Sequence, residues 1–218
     1  MSDTDRPLLL EHALRGYLSR RCKRAYAHEV RNGLQGIYGG VDALTRATRA
    51  DKPSTVPLER LTQFVQQAIA NHERGLEHML ENIAVEEQAL HAAVDLKALL
   101  SDLLRFLTHD AARHSVRSSL HIDQRLMTEA APSKLRLVFL GLLTDAIDAM
   151  PGGGEMRISA QKTGACIQVD LADSRTDGTP TSFVLEAIGS LVAQVSGRID
   201  TTAPGDTSYR VRVELPAE

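Results

Sequence analysis

With 218 residues, 43% of them hydrophobic and 24% charged, the chain can bury a sizeable core without disulfide staples. A formal charge of −3 and an aromatic content of 4% without Trp exclude a general nucleic-acid-binding surface. Cys22 and Cys166 are far apart and form no metal spacing, so free thiols in a reducing cytoplasm are expected. No apolar run reaches the ~18 residues of a membrane span. The sequence therefore reads as a soluble cytoplasmic protein with neither nucleic acid nor membrane as partner.

In chain order, residues 8 to 91 predict two long helices around a breaker, Asp51-Lys52-Pro53-Ser54-Thr55-Val56-Pro57. In the first helix Ala27, Val30, Leu34, Ile37, Val41 and Leu44 step by three and four, as an a/d seam does. Leu58, Leu61, Val65, Ala68, His72, Leu76, Met79 and Ile83 do much the same in the second. One hairpin cannot cover such a seam, so a homodimeric four-helix bundle is expected over residues 1–91.

From residue 92 to 218 the periods mix. Helices are predicted over Asp95–Thr108, Ser133–Met150 and about Thr181–Val195. Alternation marks strands through Met156, Ile158 and Ala160, through Ile167, Val169 and Leu171, and through Tyr209, Val211, Val213 and Leu215. The fold class is thus α+β: an antiparallel helical hairpin followed by a small α/β sandwich with helices on one face of a mixed sheet.

Two stretches can carry chemistry. In Ala27-His28-Glu29-Val30-Arg31-Asn32-Gly33, His28 falls just outside the seam, on the solvent side, where an imidazole is accessible as a nucleophile. Asn32 lies one turn on and shares its face. The Glu29 carboxylate, about 100° round the helix, reaches His28 only by its length and would then favour the tautomer with a free ε nitrogen. The plain alternative is a surface helix with an incidental histidine. His-Glu-x-x-Asn is no zinc motif, because a second His would have to stand at Asn32. The remaining histidines show no ligand spacing, so no metal is expected. The second stretch is the apolar helix from Leu135 through Thr144-Asp145-Ala146-Ile147-Asp148-Ala149-Met150, closed by Pro151-Gly152-Gly153-Gly154 and followed by a strand.

Together these two stretches resemble the transmitter core of bacterial two-component histidine kinases, over residues 8 to 215. The resemblance implies a dimerisation and histidine-phosphotransfer hairpin, then a kinase-type ATP-binding sandwich. Where that family has two Asn for the Mg²⁺–ATP phosphates, this chain has Gly141 and Asp145. Gly141 offers no ligand atom, and Asp145 cannot donate a hydrogen bond to phosphate. Asp173 stands where the family's Asp reads the adenine, but Arg175 and Asp177 replace the glycines that should follow. Only Ser174 to Pro180 precede the next helix, which leaves no amide cradle for phosphates.

The expected function is therefore histidine phosphotransfer in a phosphorelay, between a receiver aspartate and His28, with no cofactor and no ATP. The catalytic residues would be His28, Glu29 and Asn32; Gly141, Asp145 and Asp173 would be vestigial. Response-regulator receiver domains, and a hybrid histidine kinase, are the expected partners. They would be met at Arg24, Arg31 and Gln35 within a basic stretch that includes Arg15, Arg20, Arg21 and Lys23. The alternatives are an atypical ATP-dependent histidine kinase, a receiver phosphatase using Asn32, and a non-enzymatic dimeric regulator or scaffold.

Overall fold

The computed structural model describes residues 6–49, 56–83, 91–175, 182–205 and 208–218. They fall into two compact units: Cys22–Ala84, and Met1–Arg21 together with Val85–Glu218. The division therefore comes earlier in the chain than residue 92 at one end: the first helical turns belong with the sandwich. Leu14 and Leu18 are buried there, and Arg21 pairs with Asp110 and Asp148.

The helical unit is built from α1 (Arg6–Arg49) and α2 (Leu58–Ile83). The two helices meet along glycines on α1 and along Val65, Ala68 and His72 of the predicted seam on α2. A Cβ on Gly36 would stand 3.7 Å from the Ala68 Cβ, and one on Gly40 would collide with Val65 and Phe64. A Cβ on Gly33 would run into the His72 imidazole. Gly33, Gly36 and Gly40 recur at helical spacing, so α1 presents bare backbone and α2 fills it. Of the predicted seam, Val30, Ile37 and Leu44 are half-buried, whereas Leu34 and Val41 are exposed. Leu58, Phe64 and Ile69 of α2 and Tyr38 of α1 are exposed as well. The side chains of Leu76, Met79 and Ile83 lie outside the described residues.

In the other unit, a two-stranded antiparallel pair joins β1 (Ala92–Asp95) to β3 (Met127–Ala130). The main sheet has the order β2-β4-β5-β7-β6, from β2 (Val116–His121), β4 (Gly154–Thr163), β5 (Cys166–Asp173), β6 (Arg198–Gly205) and β7 (Ser208–Pro216). β2 and β4 are parallel and every other neighbour is antiparallel. Three helices, α3 (Leu96–Arg113), α4 (Pro132–Asp148) and α5 (Ser182–Gln194), supply the second layer. The inner rows alternate strictly: Ile167, Val169 and Leu171 on β5, and Val211, Val213 and Leu215 on β7, are all buried.

Local chemistry sets the boundaries. Asp95 caps α3 by accepting from the amides of Lys97 and Ala98 at 3.0 and 3.2 Å, and α3 runs five residues beyond its predicted end. Pro132 opens α4, where its missing amide is no loss. Gly153, at φ +96°, turns the chain out of α4, and a Cβ there would come within 3.0 Å of the Ser115 carbonyl. That turn sets β4 beside β2.

Candidate functional site

His28, Glu29 and Arg24 lie along α1, where the backbone is helical; their side chains lie outside the described residues. Asn32, Arg31 and Gln35 follow on the same helix and are all exposed. Gly33, the next residue after Asn32, is where His72 of α2 packs against α1. Continuous helix from Arg6 to Arg49 thus holds His28 and Asn32 at i and i+4, one above the other.

Gly141, Asp145 and Asp173, the positions expected to be vestigial, are all in the sandwich, and each is filled from within. Asp173 is the last residue of β5, one alternation beyond Leu171, so its carboxylate points into the inner layer. In register it sits between Met156 of β4 and Tyr209 of β7. Arg175, two residues on, also turns inward. Its Nε donates to Asp173 Oδ1 at 2.8 Å and its Nη2 to Asp173 Oδ2 at 2.6 Å. Nη1 and Nη2 both donate to Asp145 Oδ2 at 3.1 Å, and the guanidinium carbon lies 4.4 Å from the centre of the Tyr209 ring. The Arg175 and Asp173 side chains are 2% and 0% exposed. Burial works against the charge on Arg175, yet hydrogen bonding and the charges of Asp173 and Asp145 hold its pKa above the ordinary value. Burial pushes the Tyr209 phenol up, opposed by Arg175.

The same face of α4 is covered at Gly141 and Asp148 by the first turns of α1. A Cβ on Gly141 would stand 3.1 Å from Ile188 Cδ1 and 3.8 Å from Leu14 Cδ1. Tyr17 donates to Asp148 at 3.2 Å. Arg21 Nε donates to both Asp148 oxygens at 2.9 and 2.8 Å, and its Nη2 meets Asp110 at 2.8 Å. Arg6 pairs with Glu186. Leu14, Tyr17, Leu18 and Arg21 are spaced i, i+3, i+4 and i+7, a single helical face. Of the predicted basic stretch, Arg21 is thus committed inward and Arg15 pairs with Glu11 at 2.8 Å, while Arg20, Lys23 and Arg31 remain exposed. Among the described residues no group of His, Cys, Asp or Glu is placed to hold a metal ion. No described helix is long and apolar enough to cross a membrane.

Mg²⁺–ATP, which the resemblance implies, does not fit these residues. Both carboxylates that would receive it already bind one buried guanidinium, and the position of the first Asn is packed against Ile188 and Leu14.

Arg175 went unread in the sequence except as a glycine that had been replaced. The signal was there: Ile167, Val169, Leu171 and Asp173 alternate inward, a buried carboxylate needs a countercharge, and the next inward position is Arg175.

In sequence and in fold the chain is similar to a two-component histidine kinase transmitter core. No family model matches it. The sensor histidine kinase ZraS of Escherichia coli O157:H7 is 28% identical over 208 residues, which cover 87% of this chain and 44% of the relative. The chain spans less than half the length of the curated relatives it matches. Among solved structures, the Acinetobacter baumannii histidine kinase AdeS superposes with a TM-score of 0.52 at 14% identity, over 87% of this chain and 97% of its own. The histidine kinase ThkA, solved in complex with the response regulator TrrA, does so with a TM-score of 0.50 at 19% identity, over 88% and 60%.

Proposed function

We propose that this chain is a histidine phosphotransferase of a bacterial phosphorelay, working without ATP. His28 takes the phosphoryl group of a receiver's aspartyl phosphate. The acyl-phosphate P–O bond breaks, its electron pair stays on the aspartate carboxylate, and the imidazole ε nitrogen forms the new P–N bond. Transfer to a second receiver aspartate reverses these steps. Glu29 holds the δ nitrogen protonated so that the ε nitrogen is the nucleophile. Asn32 orients water when the phosphoryl group is lost instead. The hairpin of Cys22–Ala84 supplies dimerisation and phosphotransfer; the other unit supplies a kinase-like sandwich that no longer handles nucleotide.

The observation that carries this reading is the commitment of Asp145 and Asp173 to Arg175. Breaking a buried ion pair costs about 3–5 kcal/mol. A nucleotide that needed Asp173 would lose about two to four orders of magnitude in affinity to that competition alone. A phosphoryl group arriving on a receiver is already activated and needs no such site. The ThkA complex with its response regulator supports receivers as the partner class. The exposed apolar residues Leu34, Tyr38, Val41, Phe64 and Ile69 support a homodimer through the hairpin.

A second reading, an atypical ATP-dependent histidine kinase, is favoured by the likeness to the sensor kinase ZraS. One experiment separates the two: the protein is incubated in parallel with labelled Mg²⁺–ATP and with labelled phospho-receivers from its own cell. Label from a receiver but not from ATP is expected. Label from ATP establishes the kinase, and label from neither overturns both.

A further inference from the structure

We propose that Asp145, Asp173 and Tyr209 form a guanidinium-binding site whose ligand is the chain's own Arg175. Two carboxylates from separate elements, α4 and the end of β5, converge on one planar cation, and an aromatic ring from β7 lies under its face. Nε and Nη2 engage the two Asp173 oxygens as a fork, while Nη1 and Nη2 share Asp145 Oδ2. The backbone amide of Arg175 adds a fifth donor to Asp173 Oδ1 at 3.1 Å. An ammonium could not reproduce this, since it has three tetrahedral donors and no flat face to set on the Tyr209 ring. Asp173, Arg175 and Tyr209 are buried and the Asp145 side chain is 12% exposed, so the hydrogen bonds to the cation are largely shielded from water.

Such a site ties the segment leaving β5 to Asp145 of α4 and to Tyr209 of β7. It makes the sandwich independent of any small-molecule ligand at that point. The inference goes beyond phosphotransfer, because it stands or falls on stability and not on whether His28 is labelled.

The test is thermal unfolding of the full chain and its R175A variant, each alone and with millimolar ethylguanidinium, ethylammonium or Mg²⁺–ATP. R175A should unfold on the order of 10 °C below wild type, as expected for two buried carboxylates left unpaired. Ethylguanidinium should restore several degrees to R175A and nothing to wild type; ethylammonium and Mg²⁺–ATP should restore nothing to either. An unchanged Tm in R175A, a failure of ethylguanidinium, or equal rescue by ethylammonium overturns the proposal. So does a Tm rise of R175A with Mg²⁺–ATP, which would make Arg175 a plug over a nucleotide site. Should R175A not fold, a double-mutant cycle of R175K with D145N decides: the two losses should be strongly non-additive, and additive losses refute the shared site.

Discussion

Leu14 of α1 and Gly141 of α4 lie in direct apposition, with Leu14 Cδ1 3.8 Å from where a Gly141 Cβ would stand. A position that could have carried a phosphate ligand is instead a bare backbone against which the chain's own first helix packs. Restoring an Asn by G141N should therefore destabilise the protein, by about 1–3 kcal/mol for overpacking. It should gain no nucleotide binding, even combined with D145N. L14A should cost about 2–5 kcal/mol as a large-to-small change in a buried site. Denaturant unfolding measures both, and calorimetric titration of G141N/D145N with Mg²⁺–ATP checks the binding. Affinity in the tens of micromolar would show that the nucleotide face is merely two substitutions from competence.

Tyr17 gives this same contact a pH signature. Burial, then the neighbouring Asp148 carboxylate, pushes its phenol up to about 12, against an ordinary value near 10. The folded chain thus holds the phenolic proton more tightly than the unfolded chain. The resulting stability is complete below about pH 10 and is lost as pH rises toward 12. For a half-exposed group next to solvent its size is about 1 kcal/mol. Y17F lacks the ionisable proton, so the gap between wild type and Y17F should narrow between pH 10 and 12. A gap that stays constant across that window would sink the assignment.

The sandwich was largely legible in sequence because its strands obey period two and its helices are capped or broken by recognisable residues. Met156, Ile158, Ile167, Val169, Leu171, Val211, Val213 and Leu215 all face inward as predicted. β1, β2, β3 and β6 were not legible: Arg117, Ser118 and Ser119 leave β2 without a clean alternation. β1 and β3 have four residues each, and Thr201 and Thr202 leave β6 without an apolar row. The α1 side of the contact between the two helices was not legible for a different reason. Hydrophobic periodicity registers side chains, so it selected Leu34 and Val41 and was blind to the face of Gly33, Gly36 and Gly40, where absent side chains make the contact. At Gly141, Asp145 and Asp173 the departure from the ligands of the resembled family was legible residue by residue. What fills the space was not, because Leu14 lies far away in the chain and arrives only through tertiary packing.

That glycine face makes a sharp prediction of its own. In G33A the new methyl would enter the His72 ring, and the two helices must separate or His72 must swing out. A loss of about 1–3 kcal/mol is expected. H72A should recover part of it in the double variant, because removing the ring makes room for the methyl. Circular dichroism melts of the two singles and the double report the coupling. Additive losses would mean that Gly33 and His72 do not share the contact.

Dimerisation through the hairpin predicts that its exposed apolar residues become buried between two copies. Val41 and Phe64 are 46% and 56% exposed in one chain. A charge at Val41 would cost a monomer little, and one at Phe64 only its edge contact with Gly40, but either is costly inside a four-helix bundle, by several kcal/mol when unpaired. The V41D/F64D variant should thus sediment as a monomer where the parent sediments as a dimer at micromolar concentration. A parent that is itself monomeric refutes the bundle.

The last prediction concerns His28, Glu29 and Asn32 on a single helix. H28Q should abolish labelling by a phospho-receiver while leaving the melting curve and the oligomeric state unchanged, since the sequence puts His28 outside the apolar seam and such a position contributes little to packing. E29A should slow transfer about 10- to 100-fold, the range for one positioned acid or base. It should not stop transfer, because an imidazole without its carboxylate still spends part of its time in the reactive tautomer. N32A should do the reverse of E29A: loss of phosphate to water should fall more than transfer between proteins, since only hydrolysis needs a water held in line. The measurement is one time course per variant, resolving label on the receiver, on this protein and in free phosphate. Equal slowing of both fates by N32A would assign Asn32 to helix structure or partner docking and not to water. Label persisting on H28Q would remove His28 from the reaction altogether.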